Sequence, residues 1–144
     1  MKLRFVTLVM VAGLSLSACS QKAADAAPTD PAAKVAARAI APDYAVRGQI
    51  ALSDLSGIAA AGYRTVINNR PDGEEPGQPS SAQIAAEAAR LGLTYHYIPV
   101  AKSGPTPADA QTLAAALKTA KGPALAYCRS GKRAETIKAM ADQL

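Results

Sequence analysis

Residues 128–133, CRSGKR, combine a cysteine, a glycine and an arginine at a spacing that suits chemistry on an oxyanion. The thiolate of Cys128 would be a nucleophile. Gly131 permits a positive φ, which lets backbone N–H groups point into the loop. Arg133 can hold two oxygens of one anion at once. We therefore predict a catalytic Cys128 and an oxyanion-binding loop made of Arg129, Ser130, Gly131, Lys132 and Arg133.

A strand and a helix must flank this loop if it is to bind an anion. The apolar run at residues 124–127 predicts a strand that ends at the cysteine, and residues 135–144 predict the helix that follows. The helix N-terminus and Arg133 both stabilise negative charge, so they favour the thiolate near neutral pH. A buried structural cysteine before a surface turn is the alternative interpretation.

Strands and helices alternate from residue 43 to the end of the chain. Helices of this length between strands favour parallel pairing through right-handed crossovers. The sequence therefore predicts an α/β fold, a three-layer domain with a mainly parallel central sheet. Ligands bind beyond the carboxyl ends of such strands, so the loops at those ends should form one site. Strands are predicted at 44–50, 64–68, 94–100 and 124–127, helices at 54–61, 81–91, 107–119 and 135–144, and site loops at 69–79, 101–105 and 128–133.

Acidic residues that could protonate a leaving group are concentrated in the loop at 69–79, NRPDGEEPGQP. We predict Asp72 or Glu74 as the general acid and Arg70 as a second anion contact. The alternatives are acidic residues in a solvated turn and an arginine paired within its own loop. Asp109 lies in the first turn of a predicted helix, where the helix dipole explains it. His96 is the only histidine, so we predict no metal site and no cofactor.

The N-terminus has the pattern of a targeting signal. Lys2 and Arg4 precede an apolar stretch at residues 5–16, and the small residues that follow are typical of a cleavage site. Leu16-Ser17-Ala18-Cys19 resembles the lipobox of bacterial lipoproteins, which implies lipid on Cys19 and a periplasmic, membrane-anchored protein. Ser20 favours the outer membrane. The alternative is an ordinary secretory signal followed by a chance cysteine.

We predict that the chain consists of a signal peptide at residues 1–18, a disordered tether at 19–42 and a catalytic domain at 43–144.

The chain has two cysteines, so lipid on Cys19 leaves Cys128 unpaired, whereas a disulfide between them is the alternative. The net charge is +5 and falls to about +3 when Lys2 and Arg4 are removed. No basic run with interleaved aromatics is present, so we predict no nucleic-acid partner.

Five segments resemble the phosphatase-like domain of bacterial beta-lactamase hydrolase-like proteins, some of whose members are labelled sulfurtransferases. They are Asp43-Tyr44, Gly48-Gln49, VINNRPDGEEPGQPS at 66–80, Ile98-Pro99-Val100 and AYCRSGKR at 126–133. The resemblance implies a fold like that of the cysteine-dependent dual-specificity phosphatases. It also implies that Cys128 is the nucleophile and Arg133 the oxyanion binder.

Two features differ from the usual cysteine phosphatases. Four residues separate Cys128 from Arg133, as in the loops of rhodanese-type sulfurtransferases. Cysteine phosphatases generally have five residues between the nucleophile and the arginine. Ala134 stands where phosphatases usually carry a hydroxyl residue. These differences favour sulfur transfer, whereas the family resemblance favours a cysteine-dependent phosphatase-like hydrolase that acts on a small phosphorylated substrate, which is our prediction. The alternatives are a sulfurtransferase that carries a Cys128 persulfide from a sulfur-containing substrate, or a non-catalytic anion-binding module. The oligomeric state is not predicted.

Overall fold

The computed structural model describes residues 31–144, which form a five-stranded sheet in the order β1-β2-β5-β3-β4 with helices on both faces. The predicted signal peptide, the lipidation site Cys19 and Ser20 lie outside the described residues. None of the helices between residue 31 and the C-terminus is long and apolar enough to cross a membrane. The elements in chain order are α1 (Pro31–Lys34), β1 (Arg38–Ala41), β2 (Tyr44–Arg47), α2 (Asp54–Ala60), β3 (Thr65–Asn68), α3 (Ser81–Arg90), β4 (Thr94–Tyr97), α4 (Pro107–Lys118), β5 (Ala124–Tyr127) and α5 (Lys132–Ala141).

The sheet separates two apolar cores, which makes the domain three layers deep. Successive strand residues point to opposite faces, so Leu125 of β5 packs with α2 and α3 while Ala126 packs with α4 and α5. Leu55 of α2 and Ile84 of α3 are fully buried on the first face. Ile137 of α5 is fully buried on the second. The structure confirms the predicted three-layer α/β class.

Parallel pairing brings the ends of four strands to one edge of the sheet. β5 lies between β2 and β3, and β3 pairs in parallel with β4. In this register Tyr127 lies beside Arg47 and Asn68, and Asn68 beside Tyr97. The loops that follow these residues therefore begin side by side, as the sequence predicted.

The ordered domain begins earlier than the predicted boundary at residue 42. Arg38–Ala41 forms β1, which pairs antiparallel with β2, and Ala32 and Val35 pack in the core on the α2–α3 face. The prediction that residues 19–42 are all a disordered tether was therefore wrong for the residues of α1 and β1. The short, alanine-rich strand has no clear alternation of its own, and it forms because the free edge of β2 supplies hydrogen-bond partners.

Element ends differ from the prediction mainly near the site. α5 begins at Lys132, three residues before the predicted start, and β2 and β4 end three residues early, at Arg47 and Tyr97. The chain leaves the sheet early at these points because the next residues bond to the neighbouring loops. Gln49 N–H donates to Arg129 O, and Val100 N–H donates to Asn69 O.

Candidate active site

Cys128 lies directly after β5 and is 1% exposed. Its Sγ accepts a hydrogen bond from the N–H of Gly131 at 3.2 Å. Gly131 has a φ of +89°, and a Cβ at this position would lie 3.3 Å from the carbonyl oxygen of Arg47. Both the positive φ and the close approach of β2 favour glycine here. The loop therefore closes on the thiol as the sequence predicted.

The N-terminus of α5 faces this loop with its backbone donors uncapped. Gly131 occupies the N-cap position and makes no side-chain cap hydrogen bond. The first N–H groups of a helix have no acceptor within the helix, so they can bind an anion. Arg129, Ser130 and Lys132 are exposed around the loop. These three residues thus lie together with Gly131 beyond the carboxyl end of β5.

Arg133 links the thiol to the two neighbouring loops. Its Nη1 donates to Val100 O at 2.7 Å and to Oε1 of Glu74 at 2.6 Å, and its Nη2 donates to Oε2 of Glu74 at 2.8 Å. The bond to Glu74 raises the pKa of Arg133, and Cys128 adds to this rise. The guanidinium is therefore held by the Glu74 carboxylate, near enough to the thiol to be affected by it.

Glu74 holds a second arginine as well. Its Oε2 accepts from Nε of Arg70 at 2.9 Å, and its side chain is 8% exposed. The hydrogen bond from Arg133 is the main cause that lowers the pKa of Glu74 to about 2, although burial opposes it. A carboxylate that is ionised at neutral pH has no proton to donate. In this geometry Glu74 positions two guanidinium groups, which is a different role from the predicted general acid.

The Arg70 side chain is fully engaged in hydrogen bonds with neighbouring side chains. Its side chain is 3% exposed and also donates to Oε1 of Gln49 at 2.7 Å and to Oε2 of Glu75 at 2.8 Å. These bonds match the alternative of an arginine paired within its loop more closely than the predicted second anion contact. Arg70 instead stiffens the loop that carries Glu74.

Asp72, the other predicted acid, bonds to the start of α3. Its Oδ1 accepts from the N–H of Ser81 at 2.7 Å and its Oδ2 from the Ser81 hydroxyl at 2.6 Å. Within residues 31–144 it makes no hydrogen bond to the loop that holds Cys128. Asp109 similarly caps α4, where it forms a capping box with Thr106.

The single histidine lies away from this chemistry. His96 pairs with Ile67 across β3 and β4, which puts it on the α4–α5 face. The part of the chain that the structure describes contains no group of three His, Cys, Asp or Glu side chains that could hold a metal ion.

Asn69 is a structural residue of the site that the sequence analysis did not single out. It is fully buried, its N–H donates to Tyr127 O at 2.8 Å, and its Nδ2 donates to Ile98 O at 2.9 Å. The residue therefore fastens the loop after β3 to the ends of β5 and β4. A pair of asparagines at the end of a β-branched run is the signal that could have revealed it, because buried polar residues there must find hydrogen-bond partners.

Comparisons with known proteins indicate the family of this chain. The family model for the phosphatase-like domain of beta-lactamase hydrolase-like proteins matches residues 36–144. The beta-lactamase hydrolase-like protein of Agrobacterium fabrum is 37% identical over 99 residues, which are 69% of this chain and 23% of that protein. The chain thus spans only about a quarter of the length of that relative.

Two solved bacterial structures have a similar fold. A candidate phosphatase from Neisseria meningitidis is 34% identical, with a TM-score of 0.65 over 69% of this chain and 71% of that chain. One from Shewanella putrefaciens is 25% identical, with a TM-score of 0.66 over 74% and 70%. Since the family model covers β1 to the end of α5, and with it every loop of the site, this chain belongs to the family of phosphatase-like domains of beta-lactamase hydrolase-like proteins.

Proposed function

We propose that this phosphatase-like domain is a cysteine-dependent phosphatase and that Cys128 is its nucleophile. The observation that carries the proposal is the loop that closes on the thiol: the Gly131 N–H bonds to Sγ, and Arg133, held by Glu74, follows in the first turn of α5. A nucleophile, a fixed cation and free helix N–H groups at one point suit a transferring phosphoryl group, whose oxygens carry the charge.

The reaction proceeds in two steps. The thiolate of Cys128 attacks phosphorus, the bond from phosphorus to the leaving oxygen breaks, and a thiophosphate forms. Arg133 and the loop N–H groups stabilise the equatorial oxygens. Water then attacks phosphorus, the S–P bond breaks, and inorganic phosphate leaves with the thiolate restored.

The leaving group must gain a proton, and Glu74 does not supply it at this site. Glu74 is ionised, with a pKa lowered to about 2 by Arg133, and both oxygens of Asp72 accept from Ser81. General-acid catalysis by Asp72 stays a prediction. We propose that the leaving group takes its proton from water, which favours substrates whose leaving groups are acidic, such as aryl phosphates.

Sulfur transfer is the second candidate, favoured by the four residues between Cys128 and Arg133 and by the ionised Glu74. The thiolate would attack the outer sulfur of a donor such as thiosulfate, sulfite would leave, and Cys128 would become a persulfide. A nucleophile such as cyanide would then remove that sulfur and restore the thiolate. Neither step needs a general acid.

A paired assay decides between the two reactions. The full-length chain is incubated with a small aryl phosphate and, separately, with thiosulfate plus cyanide. We expect release of inorganic phosphate and no thiocyanate above the enzyme-free control. Thiocyanate without phosphate release would overturn the phosphatase proposal in favour of sulfur transfer. The absence of both products would leave only the anion-binding module.

We also propose that the protein is a periplasmic lipoprotein with its lipid on Cys19, on the support of the lipobox-like residues 16–19. Cys19→Ala should move the protein from the membrane fraction to the soluble fraction of the cells that express it. Cys128→Ala, the matched control, should stay with the membranes. The proposal fails if Cys19→Ala fractionates like the parent chain.

A further inference from the structure

Gln49 lies where two loops of the site meet. Its N–H donates to Arg129 O at 3.2 Å, in the loop that holds Cys128. Its side-chain Oε1 accepts from Nη1 of Arg70 at 2.7 Å, in the loop after β3. The first contact is close, because a Cβ on the preceding Gly48 would lie 3.1 Å from the same carbonyl oxygen. Gln49 therefore joins the two loops, one through its backbone and the other through its side chain.

The side-chain amide of Gln49 has a fixed direction. Its Nε2 donates to Ile50 O at 2.8 Å, which leaves Oε1 as the acceptor for the Arg70 guanidinium. Glu75 is the other partner at the outer end of this guanidinium, and its side chain is 52% exposed. An exposed ion pair contributes little because water screens it. Gln49 is less exposed, so it gives the more fixed of the two contacts.

Arg70 and Arg133 are linked through Glu74. Its Oε2 accepts from Arg70 Nε at 2.9 Å and from Arg133 Nη2 at 2.8 Å. Bonds to Glu74 and Val100 use three of the five N–H donors of Arg133. The guanidinium is planar and rigid, so the position of the Glu74 carboxylate sets the direction in which the remaining donors point.

We propose that Gln49 is a positioning residue for the reaction of Cys128. It acts through Arg70 and Glu74, which hold the remaining donors of Arg133 toward an oxyanion. This role rests on the proposed phosphatase function, in which Arg133 must face the equatorial oxygens of the phosphoryl group. Without the amide, the outer end of Arg70 keeps its exposed carboxylate partner, and the carboxylate between the two arginines is held less firmly.

Gln49→Met tests this role, because methionine has a similar length but neither accepts from Arg70 nor donates to Ile50. In the full-length chain the variant should lower kcat for a small aryl phosphate about tenfold, as expected for loss of one hydrogen bond to a charged group, with little change in KM. Gln49→Glu keeps an acceptor for Arg70 and should restore most of this kcat. Gln83→Met is the matched control, since Gln83 also makes side-chain hydrogen bonds, but in the capping box of α3. The control should leave kcat unchanged.

The comparison of the two Gln49 variants separates positioning from simple packing, because a side chain that only fills space would be replaced equally well by methionine. An unchanged kcat in Gln49→Met would overturn the positioning role. So would an equal loss in Gln49→Glu, or an equal loss in Gln83→Met. Gln49→Ala removes the same acceptor and needs no extra space, so it should give the same loss and replaces Gln49→Met if a thermal melt shows that the methionine variant does not fold.

Phosphate binding separates this role from the proposed function. If the parent chain releases no phosphate, the phosphatase proposal fails, and calorimetry with inorganic phosphate still tests the position of Arg133. Weaker binding by Gln49→Met that is restored in Gln49→Glu would support the positioning role. Equal binding by the parent chain and Gln49→Met, or no binding by the parent chain, would overturn it.

Discussion

Cys128→Ser is expected to reduce phosphate release from an aryl phosphate by about a thousandfold or more. A serine hydroxyl is a weak nucleophile unless a base removes its proton, and Glu74, the nearest carboxylate to Arg133, is already bound to two arginines. The side chain is small and 1% exposed, so the variant should fold. The measurement is phosphate release at saturating substrate, together with a thermal melt of both proteins.

The same variant keeps the anion-binding parts of the loop, which supplies its control. Arg133 and the N-terminus of α5 are unchanged, so phosphate should still bind to Cys128→Ser. Phosphate release near the parent rate would exclude both thiol mechanisms. Equal binding by both proteins, with no turnover by either, would identify a non-catalytic anion-binding module.

Glu74→Gln is expected to reduce the free energy of unfolding by about 3 kcal/mol, the cost of removing one partner from a buried ion pair. The change leaves the guanidinium of Arg133 without its bidentate partner and Arg70 without one of its carboxylates. Urea unfolding at pH 7 measures the effect. Glu87→Gln is the matched control, because Glu87 also binds one arginine through both oxygens but lies at the surface. A loss as small as that of the control would contradict the assigned role of Glu74.

The pH dependence of stability gives the same residue a second test. The pKa of Glu74 is about 2 in the folded protein against an ordinary value of 4.5. Between these values the unfolded chain binds a proton that the folded chain does not, so the contribution of Glu74 is complete above about pH 4.5 and is lost as the pH falls toward 2. Glu74→Gln should show a shallower fall in stability over this window, and equal slopes would contradict the assignment.

Local sequence pattern was sufficient for most of the fold and for the loop around the thiol. β-branched and apolar runs predicted β3 and β5, and α3 and α4 begin at the predicted residues 81 and 107, each preceded by a capping-box residue. Gly131 was predicted from its need for a positive φ, which the structure shows. These features depend on neighbouring residues, so a single sequence contains them.

Contacts between residues that are far apart in the chain could not be predicted from the sequence. Glu74 and Arg133 are 59 positions apart, and nothing near Glu74 distinguishes a buried partner of arginine from an exposed acid in a turn. β1 was missed for a related reason, because its order depends on the edge of β2 and half of its own residues are alanine. Contacts with residues far apart in the chain thus determine both the role of Glu74 and the start of the ordered domain.

β1 also affects how the domain behaves beside other copies of itself. An open sheet edge offers unpaired backbone groups to another chain and promotes aggregation. This edge is four residues long, begins with the charged Arg38, has an irregular register between Ala39 and Ala41, and is followed by Pro42. Each of these features disfavours the addition of a further strand. The same residues that begin the domain therefore protect its sheet from edge-to-edge association.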